Sequence, residues 1–506
     1  MKALKIIFPV LLVITFFAGS VGCKKFLDRK PLQGTLDDYG LEQQVMGLYR
    51  ITRDYVAFNS LPWIDFHSIR DDDAIKGSIP TDGAEIIAEF ETFQYTKDDW
   101  ATNEYWNNNF LLINNCNSIL QLADLSGFTD ELSKRNVGEA KFFRAYCYFN
   151  LTRAYGDVPL FNKYNATPKD AVKEKSSQAD IFVLIEKDLQ DAAAALPLSW
   201  ATGSGNGFPG RLTSGAANTL LAQVYMYQAK WAGALAACNA VIGSNKYSLV
   251  PFEVIWRDGP GGVGKNGPES IYEIQAFVGN GGSPDLGAPY AQSQNPRIFD
   301  GGPPQWDLGW GWNAPSDKLE NDWSNTDPRK PRTILYTGQF DGGTTMGGYG
   351  ITLPDQTILS QPRWNKKVFG DPAQRAATGR QSTWVNHRIL RYADVLLMKA
   401  EAANELNDGA TAATLLEQIR FRARHGDNTV LPPVAFTTKD AMRTAIKNER
   451  RWEFAMEGVR FYDLVRWNDA EAVLGPLGYT ARCKFYPIPQ KAIDLTGGVL
   501  KQNPLW

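Results

Sequence analysis

The sequence predicts a mainly α protein: a tetratricopeptide-like helical scaffold with a loop-rich irregular insert containing short strands. Apolar residues recur at helical spacing through much of the first 245 residues and again after residue 386. Between these two regions glycine and proline are dense, and only short strand-like runs such as 270–277 interrupt the loops. The composition agrees, because 43% apolar and 21% charged residues are typical of a chain with a folded core.

The N-terminus has the pattern of a secretory signal. Two lysines precede an apolar run over 6–17, and small residues then lead to Cys23. The apolar run is too short for a stable membrane-spanning helix. We therefore expect a lipoprotein signal peptide over 1–22, lipidation of the Cys23 sulfur, and a lipidated tether over 23–34. The alternative is a soluble secreted protein in which this cysteine has no special role.

An N-terminal helical part is predicted over 35–245. Its clearest helix spans 134–155 and stops at a Gly-Asp-Val-Pro sequence, which has the residues of a helix end. A second pair of helices, 214–228 and 231–242, is joined by two residues and carries alanines on its facing sides. This pattern predicts an antiparallel hairpin of the tetratricopeptide kind.

Residues 246–386 are predicted to be a loop-rich, ligand-binding part, because long loops in folded proteins usually carry function. Helices return over 389–406, 411–424 and 439–467. They belong to a C-terminal part, 387–506, whose extended tail we expect to pack on the scaffold.

Several chemistries have little support in the sequence. The net charge of −2 gives no reason to expect a nucleic-acid partner. Three widely separated histidines are a thin supply for zinc sites or catalytic triads. A near match to a phosphate-binding loop ends in Asn266 where a hydroxyl residue would hold magnesium, and a strand-like run follows it. We therefore expect no cofactor and no metal site.

Two groups of carboxylates are interpreted as structural or binding residues. The acidic run 71–73 is the best candidate for acid–base chemistry, but neighbours on a loop point in different directions. On the predicted helix after residue 439, three glutamates share one face, and nearby arginines can pair with acidic residues at helical spacing. The residues of this predicted ion-pair network are Glu449, Glu453, Glu457, Asp463, Arg450, Arg460 and Arg466.

The richest aromatic loop lies in the insert. Three tryptophans stand within nine residues, and a fourth follows eleven positions after the third. A tryptophan ring matches the apolar face of a sugar, and nearby polar side chains match its hydroxyl groups. The predicted ligand-binding residues of the insert are Trp306, Trp310, Trp312, Trp323, Asp307, Asn313 and Arg297. The same tryptophans could instead serve only to pack the loop, and both interpretations stay open at this point.

Segments along nearly the whole mature chain resemble the SusD/RagB family of Bacteroidetes outer-membrane lipoproteins. They lie at 141–160, 389–402, 449–467, 486–489 and 502–504, in the order that the family has them. The resemblance implies a scaffold of tetratricopeptide-like helices that packs on a transporter, with most of the ligand site in the loop-rich half.

The function that the resemblance implies is binding without catalysis. We expect a surface-exposed, lipid-anchored protein of the outer membrane that captures an oligosaccharide and delivers it to a SusC-like TonB-dependent barrel transporter. Trp63 and Asp72 lie in the region that resembles the other wall of the family's site. Two alternatives stay open: a peptide-binding RagB-like lipoprotein, and a lipid-anchored glycoside hydrolase with two facing carboxylates in the tryptophan-lined cleft.

Overall fold

The fold is known from a computed structural model. Its described residues are 40–54, 56–83, 88–200, 210–258, 264–276, 289–373 and 384–506. The predicted signal peptide, the tether and Cys23 lie outside these ranges. Of the helices within them, none combines the length and the apolar character needed to cross a membrane.

Six long helices make up the described part of the N-terminal half. They are α1 (Glu42–Asp54), α2 (Trp100–Ser126), α3 (Glu131–Tyr155), α4 (Gln178–Ala195), α5 (Ser214–Tyr227) and α6 (Trp231–Gly243), with two single turns at Val56–Asn59 and Ala88–Glu91. Each of α3, α4 and α5 packs against the helix before it and the helix after it. This nearest-neighbour stacking is the architecture of a tetratricopeptide-like scaffold, and it confirms the predicted hairpin of α5 and α6.

The central helix α3 begins three residues earlier than its periodicity predicts, because Asp130 caps it. The Asp130 carboxylate accepts hydrogen bonds from the backbone N–H of Ser133 at 2.9 Å and from its hydroxyl at 2.6 Å. The helix ends where predicted: Gly156 has φ of 76° and donates its N–H to the carbonyl oxygen of Thr152.

The insert contributes short strands that pair two at a time rather than one continuous sheet. The described strands are β1 (Ala74–Gly77), β2 (Ser270–Ile274), β3 (Trp312–Pro315), β4 (Ile334–Tyr336), β5 (Arg363–Asn365) and β6 (His387–Arg391). They form three two-stranded antiparallel ribbons, β1 with β3, β2 with β6 and β4 with β5. Since β1 precedes the insert and β6 follows it, the first two ribbons tie the insert to the flanking helical parts.

Seven further helices follow in the described chain, of which the two predicted over 389–406 and 439–467 are shorter than predicted. They are α7 (Pro289–Gln294), α8 (Asp317–Asp322), α9 (Tyr392–Glu405), α10 (Gly409–Ala423), α11 (Lys439–Phe454), α12 (Arg460–Arg466) and α13 (Gln490–Leu495), with single turns at Lys330–Thr333 and Ala470–Leu474. The helix predicted from residue 389 starts at Tyr392, because the preceding residues pair with β2.

The prediction of a single helix over 439–467 is wrong, because a turn separates α11 from α12. Met456 and Gly458 have φ of 67° and 72° in this turn. A Cβ atom on Gly458 would lie 2.6 Å from Cη2 of Trp63 and 3.0 Å from Cβ of His67. The turn therefore needs glycine both for its backbone conformation and for its close approach to residues 63–67.

Both helical parts share one aromatic core. Phe66 stacks on Tyr105 of α2 at 4.0 Å between ring centroids and on Tyr486 of the C-terminal tail at 3.9 Å. The predicted packing of the tail on the scaffold is thus part of the main core and not a surface contact.

The predicted ion-pair network exists, but most of its pairs are different. Glu453 contacts Arg422 at 2.5 Å and both Arg391 and Arg329 at 3.2 Å, whereas we expected Arg450. These partners lie in α10, β6 and the insert, so residue spacing along a single helix could not predict them. The other pairs are Glu449 with Arg329 and Arg420, Glu457 with Lys367 and Arg391, Arg450 with Asp394 and Asp463, Arg466 with Glu401 and Asp463, and Arg460 with Asp72.

Candidate functional site

The tryptophan loop, residues 305–312, leads into β3 and is held by its backbone. The N–H of Trp310 donates to the carbonyl oxygen of Gln292 at 2.9 Å. Gly309 of the loop packs closely against α7, because a Cβ atom there would lie 2.5 Å from that same oxygen. The loop is therefore fixed on α7, and its side chains are presented by a preformed backbone.

The aromatic surface of the loop is formed by Trp310 and Trp312. Their ring centroids are 4.9 Å apart and their planes are inclined by 53°. Both side chains are partly exposed, as is Trp306, which packs against the apolar cluster around Trp364 in the insert. Trp312 also packs against the main core, so each of the three rings is only partly available to a ligand.

A second wall of the site comes from β1 and the turn that follows it. The N–H of Ser78 donates to the carbonyl oxygen of Gly311 at 2.6 Å, and Gly77 lies opposite Trp312 in the ribbon. Gly77 has φ of 73°, and a Cβ atom there would lie 2.4 Å from the Gly311 oxygen. This approach requires glycine, and it sets the position of the tryptophan loop relative to β1.

Polar groups lie where the two walls meet. Arg297 forms an ion pair with Asp82, and their side chains are 17% and 24% exposed. The Ser78 hydroxyl donates to the same carboxylate at 2.7 Å. Lys76 donates its ammonium group to the carbonyl oxygens of Ile79 at 3.0 Å and Asp82 at 2.7 Å, and burial lowers its pKa although nearby carboxylates oppose the shift.

Sequence reasoning missed Lys76, Ser78 and Asp82. They follow no recognisable motif, and only the pairing of β1 with β3 brings them to the tryptophan loop. Asp307 lies on the loop itself and is half-buried, so with Arg297 it is one of the two predicted polar residues that stay near the surface.

Two residues predicted from the insert belong to the interior, which corrects the prediction for them. Trp323 is 2% exposed and stacks on Trp452 of α11 at 5.4 Å between ring centroids. Asn313 is 1% exposed and donates its amide to Gln294 at 2.7 Å. Neither side chain can contact a ligand at the surface in this conformation.

The two residues predicted from the N-terminal half are also buried. Trp63 stacks on His67 at 4.3 Å between ring centroids and lines the interior. Asp72 is 2% exposed and bonds to Arg460 at 2.9 Å. The prediction that they form the other wall of a surface site is corrected here, and the turn after β1 occupies that place.

The acidic run 71–73 is a structural element that joins the two halves of the chain. The Asp71 carboxylate accepts the N–H groups of Asp73 at 2.8 Å and Ala74 at 3.1 Å. Asp73 pairs with Arg451 of α11 at 2.7 Å. Burial raises the pKa of Asp71, and its acidic neighbours raise it further. Within the described ranges, no group of three His, Cys, Asp or Glu residues is arranged to hold a metal ion.

Comparison with known proteins gives consistent matches over most of the chain. Residues 268–484 match the model of the SusD family, and residues 70–226 match a family described as starch-binding associating with outer membrane. A SusD-like protein, P38, from Formosa agariphila is 30% identical over 359 residues, which are 67% of this chain and 68% of that protein.

Solved structures agree with these sequence matches. A laminarin binding SusD-like protein is 26% identical, with a TM-score of 0.73 over 92% of this chain and 99% of that chain. A surface glycan-binding protein A from Bacteroides fluxus is 25% identical, with a TM-score of 0.72 over the same shares of the two chains.

Proposed function

Because this chain belongs to the SusD family, we propose that it is a surface-exposed glycan-binding lipoprotein of the outer membrane. It captures an oligosaccharide and delivers it to a SusC-like TonB-dependent transporter without cleaving it. The names of its relatives support this proposal, since one binds laminarin and another is a surface glycan-binding protein. Acyl chains on Cys23 provide the membrane anchor, with the binding site facing the exterior.

The observation that carries the proposal is the inclined pair of Trp310 and Trp312. A sugar ring has an apolar C–H face that stacks on an indole, and its equatorial hydroxyls need polar partners at the edge of that stack. Asp307 precedes the pair on the same loop, and Arg297 packs close to Gly311 between the two tryptophans; both are partly exposed and supply such partners. Trp306 extends the apolar area along the bound chain.

The inclination of the rings favours a curved glycan. Two coplanar rings would match successive sugars of a flat chain such as cellulose, whereas these planes differ by 53°. A chain whose sugars turn relative to one another, such as a β-1,3-glucan, can stack on both rings. Because the loop backbone is fixed on α7 and β1, the site is preformed and loses little entropy on binding.

The proposed transporter contact lies on the helices. The connection between α2 and α3 exposes three large apolar side chains, Leu125 at 77%, Phe128 at 37% and Leu132 at 45%. Exposed apolar groups of this kind are typical of protein contact surfaces. Leu125→Asp should reduce co-purification with the transporter while leaving glycan affinity unchanged. Unchanged co-purification would place the contact elsewhere.

The function is tested with a panel of glycans and the mature chain, made with Cys23→Ser to prevent lipidation. Tryptophan fluorescence reports binding, and chromatography of the mixture reports any released product. Saturable binding of one glycan class, lost in Trp310→Ala and kept in Trp100→Ala, supports the proposal; Trp100 is an exposed tryptophan at the start of α2. Release of shorter sugars would indicate the hydrolase alternative. The absence of a fluorescence response to every glycan would favour a peptide ligand.

A further inference from the structure

A cavity of about 100 Å³ lies inside the scaffold, where helices from both halves of the chain meet. Its lining comes from residues 63–67, from α3 and α5, from the β6–α9 segment and from residues 450–466. It shares no residue with the tryptophan loop. The cavity therefore needs an explanation separate from glycan binding.

Arg153, at the end of α3, is the distinctive group in this cavity. Its guanidinium lies over two aromatic rings, with Cζ 4.0 Å from the ring centroid of Phe149 and 4.3 Å from that of Tyr462. It donates to the Phe149 carbonyl oxygen at 3.3 Å and to Asn150 Oδ1 at 2.9 Å. A guanidinium has five N–H donors, and in the described chain no carboxylate lies within ion-pair distance of this one. Its charge is therefore not compensated by an ion pair.

The other charged side chains around the cavity neutralise one another or pair with carboxylates outside it. These side chains are Arg388 with Asp258, Arg450 with Asp394 and Asp463, Arg466 with Glu401 and Asp463, and Glu457 with Lys367 and Arg391. Arg388 also contacts Glu273, so among the described side chains that line the cavity Arg153 is the cation without a carboxylate partner.

Two tyrosine hydroxyls at the cavity also lack partners among the described residues. Tyr462 is 4% exposed, and its hydroxyl and that of Tyr227 are buried without a hydrogen bond. Leaving a buried hydroxyl unpaired is costly. The guanidinium and both hydroxyls can each donate a hydrogen bond, so one acceptor with negative charge would satisfy all three groups.

We propose that this cavity binds a small monovalent anion of the size of chloride, held by Arg153 and the hydroxyls of Tyr227 and Tyr462. Water could satisfy the hydroxyls, whereas an anion would satisfy them and would also form an ion pair with the partly buried guanidinium. The volume suits one ion with a few waters, since a single water needs roughly 10–15 Å³.

The imidazole of His67, which also lines the cavity, does not supply a second positive charge. Burial lowers the pKa of His67 well below its ordinary value, and the charge of Arg153 lowers it further. His67 is therefore neutral and adds no charge to the cavity. Because the lining comes from both halves of the chain, the bound anion stabilises their packing by mass action.

Bromide, which replaces chloride and scatters anomalously, tests the site directly. Crystals of the mature Cys23→Ser chain in sodium bromide should show an anomalous peak between Arg153 and Tyr462. The Arg153→Gln variant should lose the peak. A wild-type cavity with ordered water and no anomalous signal would overturn the proposal.

The solution test compares sodium chloride with sodium gluconate at equal ionic strength, because gluconate is too large for the cavity. The unfolding temperature of the wild type should rise with chloride concentration, and this dependence gives an apparent affinity for chloride. That affinity should be about tenfold weaker in Arg153→Gln and also weaker in Tyr462→Phe. Arg135→Gln, on the same helix but outside the cavity, should behave as wild type. An equal chloride response in all four proteins would overturn the proposal. Glycan binding is measured separately and does not depend on it.

Discussion

Replacing Glu453 by glutamine should remove the central acceptor of the buried ion-pair network. Its side chain is fully buried and contacts Arg422, Arg391 and Arg329. Burial alone would raise the pKa of this carboxyl, but the three arginines overcome that effect and lower it from 4.5 to about 2. The ionised form is thus preferred in the folded state by about 3 kcal/mol, at 1.36 kcal/mol for each pKa unit.

The sign of the pH dependence follows from this lowered pKa. Above pH 4.5 the carboxylate is ionised in both states, and the folded state gains the full interaction. As the pH falls toward about 2, the unfolded chain takes up the proton first and the contribution is lost. Glu453→Gln should therefore be less stable than wild type by about 3 kcal/mol at pH 7, and the difference should shrink toward pH 2.

Urea unfolding followed by circular dichroism at pH 7, 4 and 2.5 measures this difference. Glu471→Gln is the matched control, because Glu471 is an exposed residue of a helical turn. It should change the free energy of unfolding by less than about 0.5 kcal/mol. If Glu453→Gln were as stable as this control at pH 7, the assignment of the network as a stabilising element would be refuted.

Three further predictions concern buried histidine and strained glycines. Burial lowers the pKa of His387 from 6.5 to about 3, so this residue should account for a loss of about 2–3 kcal/mol between pH 6.5 and 4.5, and His387→Phe should reduce the wild-type loss by that amount in urea unfolding while the contribution of His67 remains. Gly458→Ala should cost more than about 2 kcal/mol because its Cβ meets Trp63, whereas Gly426→Ala, with positive φ but open space, should cost about 1 kcal/mol in the same assay. Gly77→Ala should weaken glycan binding about tenfold by displacing the tryptophan loop, while the open-space control Gly301→Ala should not; equal calorimetric affinities would contradict the role given to this contact.

Helices were the feature best predicted from the sequence, because their signals are local. The 3.6-residue period and the stop residues at Gly156 placed α3 to within three residues at its start. The break before α12 was not predictable in this way. It depends on the approach of Trp63 to Gly458, two residues almost 400 positions apart in the chain. Similarly, residues 389–391 follow a helical pattern but pair with β2.

The candidate site was predicted only in part, for a related reason. Composition located the tryptophan loop, but burial of an individual ring depends on what packs over it. Trp323 is covered by Trp452 of α11, and nothing near it in sequence indicates that contact. Conversely, Asp82 reaches Arg297 only because β1 pairs with β3, so a sequence reading had no reason to select it.

The most direct test of the proposed function is isothermal titration of the mature Cys23→Ser chain with a β-1,3-glucan hexasaccharide and with a cellulose oligomer of equal length. We expect saturable binding of the β-1,3-glucan, little binding of the cellulose oligomer, and at least about a hundredfold loss of affinity in the Trp310→Ala/Trp312→Ala double variant. Equal affinity of wild type and double variant for the glycan would contradict the assignment of this loop as the binding site.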